Sequence, residues 1–172
     1  VAMAIVIVLA GISFQVYTNM VQGANLTRAT QKIKDLGQAF VDYTTDHGGR
    51  LPLENADVPE ISADAEDWAV AASEEAEEAW YNVLPERMGY RSVAQLGQDN
   101  APLAFYDSTY PIFVGAAPYA KSEKKLERPY FAIGMNSRLQ RRSFDGYKDP
   151  GTLASIQQPA NTVIFLERGL PK

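Results

Sequence analysis

Val1-Ala-Met-Ala-Ile-Val-Ile-Val-Leu-Ala-Gly-Ile12 opens the chain, Ser13, Phe14, Gln15, Val16 and Tyr17 come next, and no charged side chain occurs before Arg28. No proline interrupts this run, and no turn signal separates it from the residues after it. From Leu26 the apolar residues are Leu26, Ala29, Ile33, Leu36, Phe40 and Tyr43, in steps of three, four, three, four and three. That spacing draws one face of an α-helix. Arg28, Lys32, Lys34, Asp35, Asp42 and Asp46 fill the other faces, and Asp46-His47-Gly48-Gly49 supplies a stop with glycine for a left-handed cap. Read as continuous, Val1 to Asp46 is a rod of about 69 Å. A rod that long outreaches the domain it belongs to. It has to project, and its apolar half has to be covered by lipid or by neighbouring chains.

The apolar run alone is marginal for a bilayer core, which takes about 20 residues. It has neither the basic start nor the cleavage pattern of a secretory leader. Val1 reads instead as the interior of a longer apolar stretch. Gly11 and Gly23 each cost about 1 kcal/mol relative to alanine within a helix. They mark either a place to bend or a place for close packing.

After Arg50-Leu51-Pro52 comes an acidic stretch with no Lys or Arg before Glu86. A helical turn is expected around Asp64–Ala72. Ser73 with Glu74 and Glu75 reads as an N-cap and first turn, opening a helix to about Leu84 that Pro85 and Gly89 close. Ser92–Leu96 suggests one more turn. Beyond it the pattern becomes short β-branched and aromatic segments: Leu103–Tyr106, Tyr110–Val114, Tyr130–Met135 and Thr162–Glu167. Pro111 confines the second to an edge or a strand start. Long polar loops are expected at 116–129 and 137–158. The fold class this predicts is α+β, a long protruding N-terminal helix packed on a small antiparallel sheet. Residues 1–25 form its hydrophobic half. Residues 26–172 form the globular head, including the amphipathic half of the helix at 26–46.

Composition narrows the function. The 172 residues suit one domain with a real core, and there is no cysteine for disulfides, thiolate zinc or thiol catalysis. Net charge is −5 but uneven: residues 1–86 hold 4 basic and 14 acidic groups, residues 118–172 hold 10 and 5. The basic end has no glycine-rich or aromatic-interleaved run, so no nucleic-acid partner is expected. Opposite charge at the two ends suits either pairing between copies or two solvated faces.

The stretch Leu36-Gly-Gln-Ala-Phe-Val-Asp-Tyr-Thr-Thr-Asp-His-Gly-Gly-Arg-Leu-Pro52, behind an apolar helix, resembles the type IV pilins and type II secretion pseudopilins. Trp80–Leu84, Tyr130–Asn136 and Ser155–Phe165 are similar to the large pilin-like proteins of Verrucomicrobia and Planctomycetes. The chain lacks the early glutamate of pilins, and has Val-Gly-Ala-Ala-Pro where those relatives often carry Cys-Pro-Ser. The resemblance implies the pilin fold and a subunit of a cell-surface filament, with no cofactor and no enzymatic activity. It implies an inner-membrane anchor before assembly, the pilus assembly machinery as partner, and a helical homo-oligomer afterwards. Val1, Ile5, Val8, Leu9, Ile12, Phe14 and Val16 would pack the filament core. Leu26, Ile33, Leu36, Phe40 and Tyr43 would pack the helix on the head. Lys124, Lys125, Arg141 and Arg142 would meet Glu74 and Glu75 of a neighbour. A periplasmic pseudopilus and a membrane-anchored ligand-binding domain that never polymerises are the alternatives.

The residues offer little to catalysis. His47 is the only histidine, and beside a glycine pair it suits the negative end of a helix. The carboxylates from Glu54 to Glu78 lack calcium-loop spacing, and Asp145–Asp149 reads as a turn. Phe14, Tyr17, Phe40 and Tyr43 at helical spacing suit core packing better than an electron path. Asn25-Leu-Thr27 fits a glycosylation sequon but lies on the predicted helix.

Overall fold

The computed structural model describes residues 2–55, 68–99, 102–107, 109–112, 131, 133–139, 141–142, 148–149 and 151–167. Helix α1 runs unbroken from Ala2 to Asp46, through both Gly11 and Gly23. It ends as the Asp46-His47-Gly48-Gly49 spacing requires. Gly48 and Gly49 take φ of 63° and 88°. Gly49 N–H donates to Thr44 O at 2.6 Å and Gly48 N–H to Thr45 O at 3.4 Å. These two bonds form a Schellman closure that satisfies the last carbonyls.

The lower half of α1 is the spine of the core. Ala29, Leu36, Ala39, Phe40, Tyr43 and Thr44 are buried and Ile33 is partly buried against them. Its main partner is helix α3 (Trp80–Arg87), with strand β4 (Phe165–Glu167) touching it beside Phe40. Before α3 come a single turn α2 (Trp68–Ala71) and a 3₁₀ turn at Glu74–Ala76. The continuous helix expected from Ser73 to Leu84 is therefore broken. Ala79 is extended (φ −68°, ψ 141°) because the chain there bridges to Leu53: Leu53 N–H donates to Glu78 O at 2.9 Å and Trp80 N–H to Leu53 O at 2.8 Å. Pro85 does not close α3 either. It sits inside the helix, which ends at Arg87 and is closed by Gly89 (φ 81°), with Tyr90 N–H reaching back to Pro85 O at 2.9 Å.

Helix α4 (Val93–Gln98) starts on a reciprocal cap. The Ser92 hydroxyl accepts from Gln95 N–H, and the Gln95 side chain accepts from Ser92 N–H. Of Leu103–Tyr106, expected as a strand, the first three residues lie instead in a helical turn α5 (Pro102–Phe105), whose leading proline has the φ that suits a first helical position, and Tyr106 is in the turn after it. Tyr110–Ile112 is a turn rather than an edge strand, and Val114 lies outside the described residues.

The sheet is small. Strand β1 (Ile133–Met135) pairs antiparallel with β4, Gly134 opposite Leu166. Strands β2 (Arg141–Arg142) and β3 (Lys148–Asp149) make a second antiparallel pair within the segment expected as loop. Strand β4 starts at Phe165, later than the Thr162 that the residue pattern suggests, and Tyr130 and Ala132 lie outside the described residues. A cluster of aromatic rings joins the sheet to the helices. Phe165 meets Phe40 edge-on at 5.7 Å, Trp80 lies 5.5 Å from Phe165, and Tyr81 stacks on Phe131 at 4.9 Å. Each such pair adds about 0.5–1.5 kcal/mol beyond the area it buries.

Asn82 ties the short helices together. It is buried, its Nδ2 donates to Ala71 O (2.9 Å) and Ala76 O (2.8 Å), and its Oδ1 accepts from Ala94 N–H (2.8 Å). Three segments with little hydrogen bonding of their own converge on one amide. Asn82→Ala is expected to lower the unfolding free energy by roughly 2 kcal/mol, because it leaves Ala71 O and the partly buried Ala94 N–H without this partner, while Ala76 O keeps Ala79 N–H. A shift of under about 1 kcal/mol in urea unfolding would show that the amide is not the link.

Candidate functional site

Above Ala29 the helix leaves the head. From Val16 to Arg28 every described side chain is exposed except Asn25, which is half-buried. Val16 is 52% exposed, Tyr17 66%, Met20 69%, Val21 39% and Leu26 68%. Leu26, expected to pack on the head, shares that face of the helix but is left uncovered. The three-four spacing continues up to it, but the head reaches no higher than Ala29.

The direction of this apolar surface matters as much as its exposure. At 3.6 residues per turn, Val16, Tyr17, Met20 and Val21 fall within an arc of about 140°. Ala29, Ile33, Leu36, Phe40 and Tyr43 fall within an arc of about 80°, centred about 150° away from the first. The upper stripe faces nearly opposite to the head. A head sitting on its own helix face cannot cover it. Val1 lies outside the described residues, as do the side chains of Ile5, Val8, Leu9, Ile12 and Phe14; the backbone of these five continues the same helix. Among the described residues no helix is long and apolar enough to cross a membrane.

The junction between rod and head carries the perturbed groups. Lys32 Nζ donates to Tyr110 O at 2.6 Å, fixing the 109–112 turn to α1. Burial lowers its pKa to about 8, although Asp107 opposes the shift. Tyr110 is buried, its hydroxyl donates to Arg91 O at 2.8 Å, and burial raises its pKa. Asp107 is held below the usual carboxylate range by Thr109, whose hydroxyl and N–H both donate to it. A cleft of about 270 Å³ opens here, lined by Arg28, Gln31, Lys32, Asp35, Tyr90 and Thr109 among others.

The remaining candidate residues are described only in part. Glu74 and Glu75 are exposed on the turn before α3. Lys124 and Lys125 lie outside the described residues, and of Arg141 and Arg142 only the strand is described. Glu78, within the acidic stretch, pairs with Arg50 at 2.7 Å, and Arg87 with Asp46 at 2.6 Å. His47 donates from Nδ1 to Tyr43 O (2.8 Å) and stacks on the Tyr43 ring at 4.0 Å, a helix-end role. Phe40 and Tyr43 are core residues, whereas Tyr17 is exposed. Asn25 stays on the helix, where Thr27 Oγ1 donates to Gly23 O at 2.9 Å. No group of three metal-ligating side chains forms among the described residues, and Asp145 falls outside them. In the sequence Lys32 is only one polar residue of a helix. Nothing in its neighbours signals that its amine is half-buried.

The unfolded chain keeps Lys32 charged to its ordinary 10.5, while the folded chain releases that proton near pH 8. Between these values the unfolded state binds more protons, so stability rises with pH from about 8. Above about pH 10 the raised pKa of Tyr110 and of Tyr43 acts in the opposite sense. Urea unfolding from about pH 7 to 9.5 should show that rise, and Lys32→Met should flatten it. An equal rise in the variant would assign it to another group.

No protein-family model matches this chain, and comparison with curated proteins and with solved structures likewise gave no match.

Proposed function

We propose that this protein is a structural subunit of a type IV pilus-like extracellular filament, held in the inner membrane before assembly and polymerised by bundling its N-terminal helices. The observation that carries this reading is the bare apolar stripe Val16, Tyr17, Met20 and Val21, turned away from the head on the helix that forms the head's own spine. An exposed Leu- or Met-sized side chain forgoes roughly 1.5–3 kcal/mol of burial, and contiguous apolar surface of this kind marks an interaction site. Residues 2–15 of the helix add Ile5, Val6, Ile7, Val8, Leu9 and Ile12 to the same rod. Copies of the rod laid side by side remove that surface from water. A contact that repeats with a rotation and a rise, without closing, gives an open helical polymer. The pilin fold is the architecture this proposal assigns to a long helix capping a short-stranded α+β head. The charge segregation of the chain suits contacts between unlike surfaces of successive copies.

Electron microscopy of the purified full chain should show regular filaments. Deleting residues 1–25 removes no buried residue of the described head, so the truncated protein should melt within about 3 °C of the full chain and stay monomeric. Met20→Glu should likewise abolish filaments and leave melting unchanged. Filaments from either variant would mean that the rod is not the assembly element.

A further inference from the structure

We infer that the cleft beside Arg28 and Lys32, where the rod enters the head, receives the acidic Glu74–Glu77 turn of a second copy of this chain. The inference rests on the filament reading and names one contact within it. It starts from unbalanced charge. The ten acidic residues between Leu51 and Pro85 have no basic residue among them. Of those described, Glu78 is taken by Arg50. Glu74, Glu75 and Glu77 are exposed and form no ion pair among the described residues. Glu75 is held ionised by its own backbone N–H and the Ser73 hydroxyl. The turn therefore presents three carboxylates without a cation in the same copy, among the described residues.

Arg28 is the complement. It is exposed, it lines the cleft, and it forms no ion pair among the described residues. Lys32 stands one turn below, its amine directed to Tyr110 O. Two carboxylates near the cleft keep their charge: Asp35, bonded by Gln31 Nε2 at 2.7 Å, and Asp107, bonded by Thr109 and acting on Lys32, so exposed Arg28 is the cation open to a second copy. Tyr90 (42% exposed) and Met88 supply an apolar wall. At about 270 Å³ the space admits a glutamate side chain. Under the filament reading the two surfaces meet head to tail, a heterologous contact that leaves one of each free at the ends; a reciprocal two-fold exchange would stop at the dimer. Charge of opposite sign fixes register and selects against a like surface.

The chain has no cysteine, so a disulfide can form only between introduced residues. Oxidised full-length Gln31→Cys/Glu75→Cys should give a covalent ladder extending past the dimer, since each copy carries both partners. Gln38→Cys/Glu75→Cys, with the first cysteine on the same helix outside the cleft, should give no ladder. Adding Arg28→Glu should cut the ladder about tenfold, and Glu74→Arg with Glu77→Arg should restore it. Equal ladders from the two cysteine pairs, an absent ladder, or a failure of the reversed charges to rescue would each overturn the inference. Filaments that persist in Arg28→Glu but vanish in Met20→Glu would leave the filament reading standing and remove this contact alone.

Discussion

A single helix here has to serve two surroundings, and its two apolar stripes point in different directions to do so. From Ala29 to Thr44 one stripe is buried by the head that comes after it in sequence. Above Ala29 the other stripe looks away from that head. No adjustment of the head on its own face of the helix brings both under cover. That mismatch in direction, more than the mere length of the rod, leaves the upper stripe bare in the single copy. It also places the demanding chemistry at the junction, where Lys32 loses water in order to hold the 109–112 turn.

The head achieves cohesion by an unusual division of labour. Its described ladders are minimal, three residues at most, so little of its order comes from strand pairing. Order comes from a cluster of rings around Phe131, Trp80 and Phe165, and from Asn82, which holds three loosely structured segments by their backbone groups. A buried amide with donors and acceptors all satisfied favours one arrangement, because any slip leaves several groups unpaired. Short helical pieces that would be unstable alone are thereby locked in register.

How much of this is legible in the residues depends on whether the cause is local. The α1 stripe, its glycine stop and the helical turn at Ser92–Leu96 depend on spacing of a few positions, and they stand out in the sequence. So do the facing segments of β1 and β4, although their ends do not, because pairing and not propensity decides where a short strand stops. The break at Ala79 is invisible, since its cause, Leu53, lies 26 residues upstream. Leu103–Tyr106 looks like a strand because aromatic and apolar residues suit both states in so short a run. Leu26 misleads for a related reason. Periodicity reports which face a residue shares, not whether anything arrives to cover it.

The way α1 lies in the head also sets how the molecule carries load. The helix enters at Ala29 and remains in contact, side on, to Thr44, with the Arg87–Asp46 ion pair and the glycine closure at its far end. A pull on the exposed stretch of α1 above Ala29 runs along that contact. It is resisted in shear, by many side chains sharing the strain at once, whereas a pull sideways would peel them one turn after another. The joint between rod and head is thus built to be stiff under axial tension and weak under leverage.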